Sequence, residues 1–90
     1  MINKKRLIKT FTDLVKIDSE SRNEIDVAVY IKNKLKKLGI KYKIDNSNKS
    51  TGSNHGNIIA KLGNRKNIPT ILLSSHMDTV TNGIGIKPKV

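Results

Sequence analysis

The sequence predicts an α/β fold, and more narrowly the amino-terminal part of a helix-flanked mixed sheet, with two helices followed by three strands. Three observations carry that expectation. Apolar residues recur at helical spacing through residues 4–17, and again between Glu24 and Gly39. The apolar period then drops to two from Ile40 onward, as a strand with one solvated face requires. Finally, Ile71-Leu72-Leu73 is apolar without alternation, the pattern of a strand buried on both faces.

Each element has its own local signals. Asn3 is a suitable N-cap for the first helix, which places Leu7, Ile8, Phe11, Leu14 and Val15 on one face. Residues 18–21, Asp-Ser-Glu-Ser, interrupt that period. The segment Ser21-Arg22-Asn23-Glu24 has the form of a capping box, in which a Ser and a Glu satisfy each other's orphan amides at a helix start. Val27, Ala28, Ile31, Leu35 and Leu38 line one side of the second helix. Glu24 and Asp26 sit near its positive end, Lys34, Lys36 and Lys37 near its negative end, and Gly39 supplies the stop. Ile40, Tyr42 and Ile44 alternate with Lys41 and Lys43 as an edge strand does. The polar residues 45–56 predict a long loop, 57–62 a second strand, 63–67 a turn, and 70–75, opened by Pro69, the third strand. Residues 76–90, with Gly83, Gly85 and Pro88, predict irregular chain.

A strand buried on both faces needs strands beside it and helices above and below it. Nothing after residue 75 has the pattern to supply them. Residues 1–90 are therefore expected to be an incomplete part of a larger unit, with unpaired strand edges that predict self-association or homo-oligomer formation.

Composition narrows the classes of function. Ninety residues allow one domain at most. The absence of Cys excludes disulfides, thiolate catalysis, Cys-rich zinc knuckles and iron–sulfur clusters, and fits a reducing compartment. The longest apolar stretch, Ile71-Leu72-Leu73, falls far short of the roughly 18 residues a bilayer span needs, and no signal-peptide core opens the chain. A cytoplasmic protein without membrane partners is the expectation. The formal net charge of +11 admits an alternative, a small basic module that binds nucleic acid or another polyanion by displacing counterions. Against it, Lys is scattered through every segment, and one Phe and two Tyr leave almost nothing to stack on bases. Lys, Asn and Ile are abundant together, as A/T-rich coding sequences tend to produce, so compositional bias explains the charge better than nucleic acid does.

The chemistry-bearing residues are His76-Met77-Asp78-Thr79-Val80, at the carboxyl end of the predicted buried strand. Ligands bind at that edge of open α/β sheets. Neutral imidazole is a common metal ligand, and it usually needs a carboxylate or carbonyl on its other nitrogen to fix tautomer and orientation. Asp78, two residues on, can turn back to make that contact. By itself H-x-D is a short pattern, and a loop-edge histidine beside a turn-forming Asp balances the metal site evenly.

The run 71–80, ILLSSHMDTV, followed by Gly83-Ile84-Gly85-Ile86-Lys87-Pro88, resembles the first metal-binding motif of peptidase T-like zinc exopeptidases. That superfamily also holds carboxypeptidase G, aminoacylase and acetylornithine deacetylase. The resemblance extends to the whole chain: LVKIDSES at 14–21, Leu38-Gly39 closing the second helix, and GNIIA at 56–60 fall in the family's order. It implies a hydrolase, a zinc-dependent aminopeptidase acting on tripeptides or other short peptides, or an enzyme cleaving a related amide, with two zinc ions in the full-length enzyme. It implies His76 as a zinc ligand and Asp78 as the catalytic-site carboxylate that orients it. The bridging carboxylate, the general-base Glu and the remaining ligands of such enzymes lie beyond this first motif, so the segment is expected to be inactive alone. Asn82 stands where relatives often carry Pro, which bears on loop stiffness more than on zinc. His55 is expected to be a solvated loop residue rather than a ligand, and Glu20 and Glu24 to serve the start of the second helix.

Overall fold

The computed structural model describes residues 2–63, 69–80 and 83–89, which form α1 (Lys4–Lys16), α2 (Ile25–Lys37), β1 (Tyr42–Ile44), α3 (Asn48–Thr51) and β2 (Ile58–Ala60). In α1 the Asn3 side chain accepts a hydrogen bond from the Arg6 amide at 3.1 Å, which satisfies one of the helix's orphan donors as the N-cap expectation required. The apolar face of α1 is only partly covered. Leu7 and Phe11 remain exposed, and with Ile8, Thr12, Pro88 and Lys89 they line a groove of about 420 Å³ between the helix and the end of the described chain.

The second helix differs from expectation at its start and agrees at its end. No capping box forms: Glu24 occupies the N-cap position without a side-chain cap bond. The Ile25 amide is satisfied instead by Asn54 Oδ1 at 3.0 Å, from the loop that follows β1, and Glu24 accepts the Ser53 hydroxyl. The box fails because Arg22 takes a left-handed conformation (φ 73°) and the Ser21 hydroxyl is committed elsewhere. At the carboxyl end Gly39 (φ 71°) closes a Schellman motif, with Ile40 N bonded to Leu35 O at 2.9 Å and Gly39 N to Lys36 O at 3.1 Å. Val27 and Ala28 on α2 are the buried hydrophobic residues of the described chain.

The strands β1 and β2 pair antiparallel in the register Tyr42↔Ala60, Lys43↔Ile59 and Ile44↔Ile58. The intervening polar segment is more ordered than a plain loop. Asp45 gathers it, accepting from the Ser47 amide and hydroxyl at 3.1 and 2.7 Å and from the Asn57 amide and side chain at 2.8 and 3.0 Å. The single-turn α3 follows and ends on Gly52 in the left-handed region (φ 79°). Gly56 must lie close to Asp45, since a Cβ there would stand 2.1 Å from the Asp45 carbonyl oxygen.

The third strand expected at residues 70–75 does not form, which corrects the expected strand count within the α/β class. Ile71, Leu72 and Leu73 are 84, 87 and 90% exposed and belong to no ladder. A strand exists only where a neighbour takes its N–H and C=O groups, and the two-stranded sheet lies elsewhere in the chain. The parallel contact in the described chain is a single bridge between Glu20 and Thr79, so the sheet itself is antiparallel rather than mixed. Of the turn expected at 63–67, Gly63 (φ 74°) is described and the rest lies outside the described residues, as does Asn82. No helix among the described residues is long and apolar enough to cross a membrane.

Candidate metal centre

The loop that carries His76 and Asp78 is held from the connector between the two long helices. Thr79 N donates to Ser19 O at 2.8 Å, forming the parallel bridge, and Ser19 is the buried polar residue of the described chain. Further along, Gly85 N donates to Asp18 Oδ1 at 2.9 Å. Gly83 closes a tight turn through its amide to Val80 O at 3.0 Å, and a Cβ there would meet Thr79 Oγ1 at 2.6 Å. Small residues after the motif are thus required by close backbone approach as well as by the positive φ of Gly85 (65°).

Within this loop His76 Nδ1 lies 3.5 Å from Asp78 Oδ1, slightly longer than a well-formed hydrogen bond. The other carboxylate oxygen, Oδ2, accepts the Ser21 hydroxyl at 2.5 Å. That bond is the leading reason the Asp78 carboxyl is held below its ordinary range, with smaller contributions from its own backbone amide and from His76. The imidazole is 93% exposed and the carboxylate 31%. The pair can therefore do one thing chemically: keep a carboxylate at Nδ1 while Nε2 stays open to solvent and free to donate its lone pair to a cation.

These donors fit one ligand of a zinc site and the carboxylate behind it, and no more than that. No group of three or more His, Cys, Asp or Glu side chains able to share a metal occurs among the described residues. His55, expected to be a solvated loop residue, is half-buried, with Nδ1 2.7 Å from Gly56 O and its amide donating to Ser53 Oγ at 3.3 Å. It belongs to the loop that caps α2. Glu24 serves that same junction, as the sequence suggested, though through Ser53 rather than Ser21. Ser21 is the site residue that sequence reasoning missed. Its local pattern suits a cap, and nothing in the order of residues announces a partner 57 positions away.

No family model matches the chain. In fold and sequence it is similar to two peptidases: aminopeptidase PepT from Bacillus cereus, with a TM-score of 0.91 and 38% identity over 99% of this chain, and a tripeptidase from Staphylococcus aureus, with a TM-score of 0.91 and 39% identity over all of it. The chain covers 24% of each. It is 43% identical over all 90 residues to the uncharacterized protein YqjE of Bacillus subtilis, of which it covers 24%. It is also 37% identical over 81 residues to a probable succinyl-diaminopimelate desuccinylase of Staphylococcus aureus, covering 19% of that protein. Over its whole length the chain is similar in fold and sequence to one segment of those two peptidases, and it spans about a quarter or less of the relatives it matches.

Proposed function

We propose that residues 1–90 act as the amino-terminal segment of a peptidase T-like zinc exopeptidase domain, and that in such a domain they supply the first metal ligand, His76, together with its orienting carboxylate, Asp78. The observation that carries this reading is the placement of His76 and Asp78 on one loop, with the carboxylate at Nδ1 and Nε2 open, in a chain similar throughout to an aminopeptidase and a tripeptidase. The substrate class is short peptides cleaved at the amino-terminal end. Zinc, when bound, polarises the scissile carbonyl and lowers the pKa of an attacking water. The chain's own contribution is to present Nε2 at a defined place and to fix the imidazole through Asp78 and the loop through Ser19 and Asp18. One ligand with its orienting carboxylate supplies neither a two-metal site nor a general base, so the 90-residue chain alone should not hydrolyse peptides.

A chimera tests this. Residues 1–90 replace the matching segment of the Bacillus cereus aminopeptidase, and tripeptide hydrolysis is measured with zinc. The chimera should be active, His76→Ala should abolish turnover, and Asp78→Asn should weaken metal affinity by roughly 10- to 100-fold, as loss of an outer-shell partner does. Full activity in the His76→Ala chimera would exclude the assigned role.

A further inference from the structure

We propose that Ser21 is a positioning residue for the metal loop: its hydroxyl fixes the plane of the Asp78 carboxylate so that the second oxygen faces His76 Nδ1. The inference rests on the assignment of His76 and Asp78 made above. Among the described residues, hydrogen bonds at Asp18, Ser19 and Ser21 join the connector to the loop. Two of them, Ser19 O from Thr79 N and Asp18 Oδ1 from Gly85 N, place backbone on either side of the Thr79–Gly83 turn. The third, from Ser21 Oγ to Asp78 Oδ2 at 2.5 Å, reaches a side chain of the motif. An exposed imidazole with a carboxylate 3.5 Å away is poorly determined if the carboxylate is free to turn about its terminal torsion. A bond to Oδ2 removes that freedom and leaves Oδ1 directed at the ring.

The competing role for Ser21, capping α2, is already filled. The helix's N-cap is Glu24, and the Ile25 amide is bonded to Asn54. The Arg22 backbone, at φ 73°, turns the chain between Ser21 and the helix, so that residue 21 faces the loop rather than the helix end. The connector therefore serves the first ligand of the site although it contains no ligand itself. The Asp18 side chain holds the Gly85 amide, and the Glu20 backbone takes part in the bridge to Thr79.

The His76 tautomer reports this directly without any metal. Nitrogen-15 NMR of the metal-free chain, at a pH where the ring is neutral, distinguishes Nδ1–H from Nε2–H, and His55→Gln assigns the second imidazole. The unsubstituted chain should hold His76 largely as Nδ1–H, pointing at Asp78. Ser21→Ala should move it toward the Nε2–H form that free histidine prefers, and Ser21→Thr, which keeps the hydroxyl, should restore it. Ser21→Cys, close in shape but a weak donor, should fall between, and it decides the matter if the Ala variant loses its fold. Circular dichroism confirms folding in each case. An unchanged Nδ1–H share in folded Ser21→Ala and Ser21→Cys would overturn the role of Ser21 while leaving the His76–Asp78 pair intact. An unsubstituted chain already in the Nε2–H form would overturn that pair, and the proposal with it.

Discussion

At the scale of single residues, Asp45 is the most heavily bonded side chain of the described chain, and its chemistry gives a pH signature. Hydrogen bonds from the Ser47 hydroxyl, the Ser47 amide and then the Asn57 amide lower its pKa to about 2, from an ordinary value of 3.8. The unfolded chain then takes up the proton before the folded one does, so acid favours unfolding. The Asp45 contribution is fully present above about pH 4 and is lost as pH falls toward about 2. Urea midpoints should fall as pH drops through that window in the natural chain, and Asp45→Asn should flatten the slope by removing this proton linkage. Half of this network is legible from sequence, because an Asp two residues before a Ser is an ordinary turn signal. The other half is not, since Asn57 lies 12 positions on and reaches Asp45 only once β1 and β2 pair. Ser21 and Asp78 make the same point at the candidate site: two residues each readable as turn formers become partners through the path of the backbone.

At the scale of elements, α2 shows what local sequence decides and what it leaves open. Its stop is written in residues 35–40, and Gly39 does what a glycine in that position is expected to do. Its start depends on a loop from the far side of β1. Asn54→Ala, which removes the acceptor for the Ile25 amide, should cost about 1 kcal/mol in urea unfolding, the usual effect of losing a cap. The same substitution should raise hydrogen exchange at the first turn of α2 while leaving α1 unaffected, because α1 is capped by its own Asn3. Capping is a local rule, but which residue supplies the cap is settled by whatever side chain arrives at the helix end.

At the scale of the whole molecule, the buried hydrophobic residues, Val27 and Ala28, are few, while Ile71, Leu72 and Leu73 stand almost fully exposed in the described chain. An exposed contiguous apolar run outside any strand ladder is a template for pairing. Sedimentation at rising concentration should show self-association of the isolated chain, and Leu72→Lys should suppress it by placing a charge in the middle of the run. The sequence by itself determined the α/β class, the two helices with their ends at Asn3 and Gly39, the two strands near residues 42 and 58, and the likeness of 71–80 to a peptidase T-like metal motif. These depend on periodicity and on residues within a turn or two of one another. Only the tertiary structure decided that Asn54 caps α2, that Asp45 organises the loop, that Ser21 meets Asp78, and that residues 70–75 make no strand. Each of these depends on what a polar group or an apolar face finds next to it in space, and a hydrogen bond between distant positions leaves no periodic trace in the order of residues.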